Sequence, residues 1–204
     1  SVLQPRWSPG GTLYFISDSS GWWNLYRVVD GQVQAVFLKD AEFAGPSWVF
    51  RLSNYGFESE ESLLCVYSEA GKLQLTRIHT ATIGQDGGPD TELVETPFSS
   101  IHGFEVSSGQ AVFLGGSPTK PMAVTQLNLA TGEAQPLRQT STIEIDSDYV
   151  SVGQAIEFPT ENGQTAHAFY YPPRNADFDA PDSERPPLLV RSHGGPTSAT
   201  SRVF

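Results

Sequence analysis

The sequence has a single cysteine, Cys65, and a single methionine. One thiol cannot form a disulfide within the chain. Cys65 lies in the apolar run Leu63-Leu64-Cys65-Val66, where a small buried hydrophobe is its ordinary role. A lone thiol also suits a reducing, cytoplasmic compartment better than an oxidising one. Cations are scarce: 12 Lys and Arg stand against 23 Asp and Glu, a net charge of −11. Nucleic acids and anionic membranes are recognised by clustered Lys and Arg, so neither is an expected partner. No apolar run approaches the ~20 residues of a membrane span, and Ser1-Val2-Leu3-Gln4-Pro5-Arg6 is not a signal peptide. The chain lacks an initiator Met and opens inside what reads as a repeat. A piece of a longer protein is therefore expected, with any targeting segment upstream.

Metal and nucleophile signals are equally thin. His79, His102 and His167 have no Cys or His at ligand spacing and read as surface or core histidines. Asp86-Gly87-Gly88-Pro89-Asp90 lacks the acidic ladder and distal Glu of a Ca²⁺ loop and reads as a plain loop. Neither a metal nor an organic cofactor is expected. Ser17-Asp18 falls at a turn. Glu58–Glu61 reads as a solvated acidic stretch.

What the chain does have is aromatic residues at 11%, with 19 Gly and 15 Pro, a composition of many short strands and tight turns. Thr12-Leu13-Tyr14-Phe15-Ile16-Ser17 is bounded by Pro9-Gly10-Gly11 and Asp18-Ser19-Ser20-Gly21 and reads as a strand. Trp23–Val29 and Gln32–Leu38 flank Asp30-Gly31, a hairpin signal because both turn positions favour positive φ. Trp22 and Trp23 are adjacent, so in a strand they face opposite ways: one toward the core, the other toward a channel or an interface.

The layout recurs. Pro5-Arg6-Trp7 returns 41 residues later as Pro46-Ser47-Trp48. Strands Leu63–Tyr67 and Leu73–Ile78 follow around Glu69-Ala70-Gly71-Lys72, with an insertion around Asn54–Ser62. A third unit holds Ile101–Val106, Ala111–Leu114, Ala123–Leu129 and Glu133–Arg138. Units of 40 to 50 residues with about four strands each are the signature of propeller blades. The composition breaks near Gln139–Tyr149. Beyond it, Ala155–Phe158 and Ala166–Tyr171 form another hairpin, Pro172–Pro187 an exposed loop, and Leu188-Leu189-Val190-Arg191-Ser192 a strand of the kind buried in an α/β sheet.

That apolar run leads into His193-Gly194-Gly195-Pro196-Thr197. Paired glycines after a strand let the backbone approach a ligand and adopt dihedrals closed to other residues. In α/β-hydrolases such a junction supplies one backbone N–H of the oxyanion hole. Taken alone, the four residues equally describe a tight turn. The segments Gly163–Asn175 and Arg185–Ser198, with Trp7–Asp18 and Trp23–Arg27 upstream, resemble the prolyl oligopeptidase family of serine peptidases, nearest its acylaminoacyl-peptidase-like bacterial branch.

The resemblance implies a Ser-His-Asp hydrolase of short peptides or blocked N-terminal residues, with a propeller capping the active site. It places the oxyanion N–H on Gly195, with Gly194 allowing the turn and His193 shaping the loop without serving as the base. Gly-x-Ser-x-Gly occurs nowhere in the chain, so the nucleophile and its Asp and His partners are expected after residue 204, and residues 1–204 alone are expected to be inactive.

The expected architecture is mainly β: a partial propeller of about three blades at 1–140, a crossover at 141–153, and the first strands of an α/β-hydrolase domain at 154–204. Expected partners are a peptide substrate, the hydrolase portion beyond this chain, and further copies of the fragment itself. Two alternatives stand beside this reading: a noncatalytic propeller that binds proteins through its channel face, and a family member whose triad has decayed.

Overall fold

The computed structural model describes residues 1–45, 50–86, 88–195 and 199–204. Pro46-Ser47-Trp48 of the expected repeat, Gly87 of the acidic loop, and Pro196-Thr197-Ser198 after the glycine pair lie outside the described residues.

Three four-stranded antiparallel sheets follow one another along the chain. The first holds β1 (Val2–Trp7), β2 (Leu13–Ser17), β3 (Asn24–Val29) and β4 (Gln32–Phe37) in sequential order. The second holds β5 (Tyr55–Phe57), β6 (Ser62–Glu69), β7 (Lys72–His79) and β8 (Thr91–Leu93). The third holds β9 (Ser100–Ser107), β10 (Gln110–Ser117), β11 (Lys120–Asn128) and β12 (Ala134–Gln139). A separate hairpin pairs β13 (Gln154–Pro159) with β14 (Thr165–Tyr170).

Turn chemistry explains the meander. At Asp30-Gly31 both residues have positive φ, +50° and +74°. This twist matches that of the flanking strands, and glycine adopts it without strain. Ala70-Gly71, Ser108-Gly109 and Asn162-Gly163 repeat the same pair of positive dihedrals at the turns after β6, β9 and β13.

The middle sheet is buried on both faces, and β6 makes the reason visible. Its side chains alternate: Leu63, Cys65 and Tyr67 enter a core with Tyr14, Ile16 and Leu25 of the first sheet. Leu64 and Val66 enter a second core with Phe104, Phe113 and Leu127 of the third. A single blade-like sheet cannot bury both faces by itself, and stacking supplies what it lacks. Each such side chain removed from water is worth roughly 1.5–3 kcal/mol.

The first strands stand side by side. Gln4 on β1 exchanges two hydrogen bonds with Asn54 (2.9 and 2.8 Å), and the Tyr55 hydroxyl donates to the Gln4 carbonyl at 2.6 Å. The Phe104 N–H of β9 donates to the Ser53 carbonyl at 3.1 Å.

The three blade-like sheets within 1–140 match expectation, but two details do not. Tyr55–Phe57, read as part of an insertion, is the first strand of the second sheet. At three residues it is too short for its alternation to register. Leu188–Ser192, read as a buried strand, has no strand pairing, and Leu188, Leu189 and Val190 are 78%, 90% and 80% exposed. A strand needs neighbours to accept and donate its backbone hydrogen bonds, and none of β1–β14 lies beside this segment.

Candidate functional site

The chain leaves the third sheet through Thr140, whose N–H (3.0 Å) and hydroxyl (2.6 Å) both donate to the Met122 carbonyl. The crossover then makes a turn over Ser147–Tyr149, in which an Asp146 carboxylate oxygen accepts from the Asp148 N–H at 3.0 Å. Val150 is buried at the foot of the hairpin.

The residues after β14 fold back onto this crossover. The Ser151 hydroxyl donates to the Pro172 carbonyl at 2.5 Å, Arg174 pairs with Asp148 at 3.0 Å, and the Tyr149 hydroxyl donates to Asp177. The Tyr171 ring packs so close to Gly153 that an added Cβ would lie 2.7 Å from it.

His193, Gly194 and Gly195 are exposed. Gly195 has φ +75°, and no atom lies within 4 Å of where a Cβ on either glycine would sit. The residue type and the backbone therefore agree on a left-handed turn directly after Leu188–Ser192. The His193 Nδ1 lies 3.4 Å from the Gly194 carbonyl oxygen, so the ring leans on its own loop.

The other histidines separate cleanly. His102 Nε2 lies 2.8 Å from the Ser100 hydroxyl on β9, a Ser–His pair that sequence spacing did not flag. Ser100 is buried, and among the described residues no carboxylate meets the other imidazole nitrogen, so the acid of a hydrolytic triad is missing there and the serine is closed to a substrate. His167 sits opposite Glu157 in the exposed hairpin. Trp23 packs against the first core while Trp22 remains 39% exposed, but both precede β3 and lie outside any strand, so the division is not the strand alternation expected.

Two ion networks lie outside the loop. Arg77 reaches Glu58 and Glu92, each at 2.7 Å. Burial raises the Glu58 carboxyl, but the Arg77 and Ser62 hydrogen bonds prevail and hold it below the usual carboxylate range. Glu58 is thus tied down, unlike the solvated residue expected. Arg6 of β1 grips Glu105 of β9 with two hydrogen bonds, 2.8 and 2.7 Å, and donates to Ser53 at 2.8 Å. Those bonds lower the Glu105 carboxyl and raise the Arg6 guanidinium. Beside them Arg6, Trp7, Ser8, Pro9, Phe57 and Val106 line an open hollow of about 450 Å³. Arg6 and Glu105 stand 99 positions apart, a distance at which single-sequence patterns carry no signal.

No protein-family model matches the sequence, and no curated protein matches it. Solved structures do. Puromycin hydrolase is 30% identical with a TM-score of 0.84, covering 99% of this chain and 30% of its own. A puromycin-hydrolyzing peptidase of Mycobacterium tuberculosis is 29% identical with a TM-score of 0.81, over 92% of this chain and 28% of its own. Prolyl oligopeptidase B from Galerina marginata, 14% identical with a TM-score of 0.56, covers 83% of this chain and 22% of its own, a likeness of fold alone. The chain spans about 30% of the length of the puromycin hydrolases it matches.

Proposed function

We propose that the chain, a stretch equal to 30% of puromycin hydrolase, belongs to the prolyl oligopeptidase family of peptidases, and that its parent protein is a serine hydrolase of short peptides, blocked N-terminal residues and aminoacyl amides. Residues 1–140 form part of its capping propeller, 141–153 the crossover, and 154–204 the opening of the α/β-hydrolase domain. A peptide carbonyl is attacked by a serine outside this chain, an acyl-enzyme forms as the amine leaves, and water releases the acid. Gly195 donates its N–H to the developing oxyanion, Gly194 gives the loop its turn, and His193 shapes the loop without acting as the base. The buried single thiol accords with a cytoplasmic setting.

The observation that carries this reading is the left-handed Gly195 after an apolar segment, in a chain 30% identical over 99% of its length to puromycin hydrolase. An N–H aimed at an oxyanion contributes about 10²–10³ in rate. Puromycin is the first substrate to try, with acyl-aminoacyl anilides beside it. The full-length protein is expected to hydrolyse at least one of these and to react with a fluorophosphonate probe, while residues 1–204 alone do neither. A full-length protein inert in both assays overturns the enzymatic reading and favours the protein-binding propeller. Labelling without turnover leaves the serine but removes the substrate assignment.

A further inference from the structure

Arg27 and Arg77 stand at the same place in successive sheets. Each lies on the third strand of its sheet, Arg27 opposite Tyr14 of β2 and Gln34 of β4, Arg77 opposite Leu64 of β6 and Glu92 of β8. Residues directly opposite one another share a face of the sheet. Tyr14 belongs to the core shared with the second sheet and Leu64 to the core shared with the third, so each arginine is on the face turned to the sheet that follows.

The two guanidinium groups make the same pattern of bonds. Each holds its cross-strand partner: Arg27 Nε donates to the Gln34 side-chain oxygen at 2.9 Å, and Arg77 Nη1 to Glu92 at 2.7 Å. Each also reaches the next sheet, in the connection between its third and fourth strands. Arg27 donates to the Thr80 and Ile83 carbonyls after β7, both at 3.3 Å, and Arg77 to the Leu129 carbonyl after β11 at 3.2 Å. A planar guanidinium offers five N–H donors in fixed directions, so one side chain can hold its own sheet and the next at once. In the third sheet the register puts Gln126 at this position, opposite Val112 and Gln135. Gln126 donates to Gln110 of its own sheet, and on that face Val112 and Val124 are 36% and 38% exposed. Among the described residues, the arginine occurs where another sheet is stacked on that face and not where the face is open.

We propose that Arg27 and Arg77 are two copies of one fastener, which ties the outer connection of each sheet to the sheet before it. The shared cores draw the sheets together, but apolar burial has no direction and does not by itself fix how one sheet sits on the next. Hydrogen bonds are directional. Gln4, Asn54 and Arg6 already tie the first strands, and the two arginines add a second line of attachment at the third strands. The fastener rests on these contacts alone and stands whether or not the parent protein is a peptidase.

The test is hydrogen–deuterium exchange on the full-length protein, followed over residues 80–86, over 128–135 and over each arginine's own sheet. Arg27→Lys keeps the charge but loses the fork, and is expected to raise exchange over 80–86 about tenfold, with 128–135 as in wild type. Arg77→Lys leaves a cation for Glu58 and Glu92, and is expected to raise exchange over 128–135 by a similar factor, with 24–37 unchanged. Arg27→Gln and Arg77→Gln repeat the measurement without the charge and are expected to give the same two patterns. Unaltered exchange in the following sheet, or a rise confined to the arginine's own sheet, overturns the fastener. A rise spread evenly over all three sheets is general destabilisation and overturns it as well. A rise at one junction alone overturns the reading of a repeated device.

Discussion

Phe104, fully buried between the second and third sheets, stacks on Phe113 with ring centroids 6.0 Å apart. Phe104→Ala leaves a cavity among side chains from two sheets and should cost about 3–5 kcal/mol, read as an earlier melting transition of the full-length protein. Glu58 offers a pH-dependent counterpart. Its carboxyl is held below the usual range by Arg77 and Ser62 against the opposing effect of burial. Its stabilisation is therefore fully present above the ordinary glutamate pKa of about 4.3 and is lost as pH falls through the lowered value. Melting temperatures of wild type and Glu58→Gln should differ most near neutrality and converge on acidification toward pH 3. A gap that stays constant with pH would remove the assigned cause. Gly195 is the third such residue. With φ +75° and open space around it, Gly195→Ala should strain the loop by about 1–2 kcal/mol and cut kcat of the full-length protein while its melting temperature hardly moves.

Among the elements, β6 stands apart because both of its faces are covered. Leu63→Asp and Leu64→Asp should each be severely destabilising, one through each core, since both side chains have no exposed surface. Val33→Asp on β4, where the side chain is 64% exposed, should be nearly neutral by the same melting assay.

The hairpins were legible in advance. The Asp30-Gly31 turn and the alternation around it are local features, and local features survive in a sequence read alone. The short first strand Tyr55–Phe57 was not legible, because it is held by Leu63–Cys65 across its edge and by its neighbours β1 and β9, not by a pattern of its own. The bonds from Arg6 to Glu105 and Ser53, which tie the first strands together, connect residues 99 and 47 positions apart and were invisible for the same reason.

At the scale of the molecule, Val2 and Trp7 on β1, at the edge of the first sheet, are 62% and 68% exposed. Leu188, Leu189 and Val190 are exposed as well. Unpaired edges and uncovered apolar surface of this kind favour association. Isolated residues 1–204 are therefore expected to self-associate, with a sedimentation coefficient that rises with concentration. A concentration-independent monomer with one sharp melt would count against this.

The amino-acid order by itself determined the longer paired strands, their turns, the grouping into blade-like units, the acidic character and the glycine pair at residues 194–195, because each depends on neighbours a few positions away. Only the tertiary structure decided that β6 is shared by two cores, that Arg6 reaches Glu105, that Leu188–Ser192 stands unpaired, and that Arg27 and Arg77 reach from their own sheets to the next. These are contacts between distant stretches of chain. They are set by how sheets stack to exclude water, which no local pattern records.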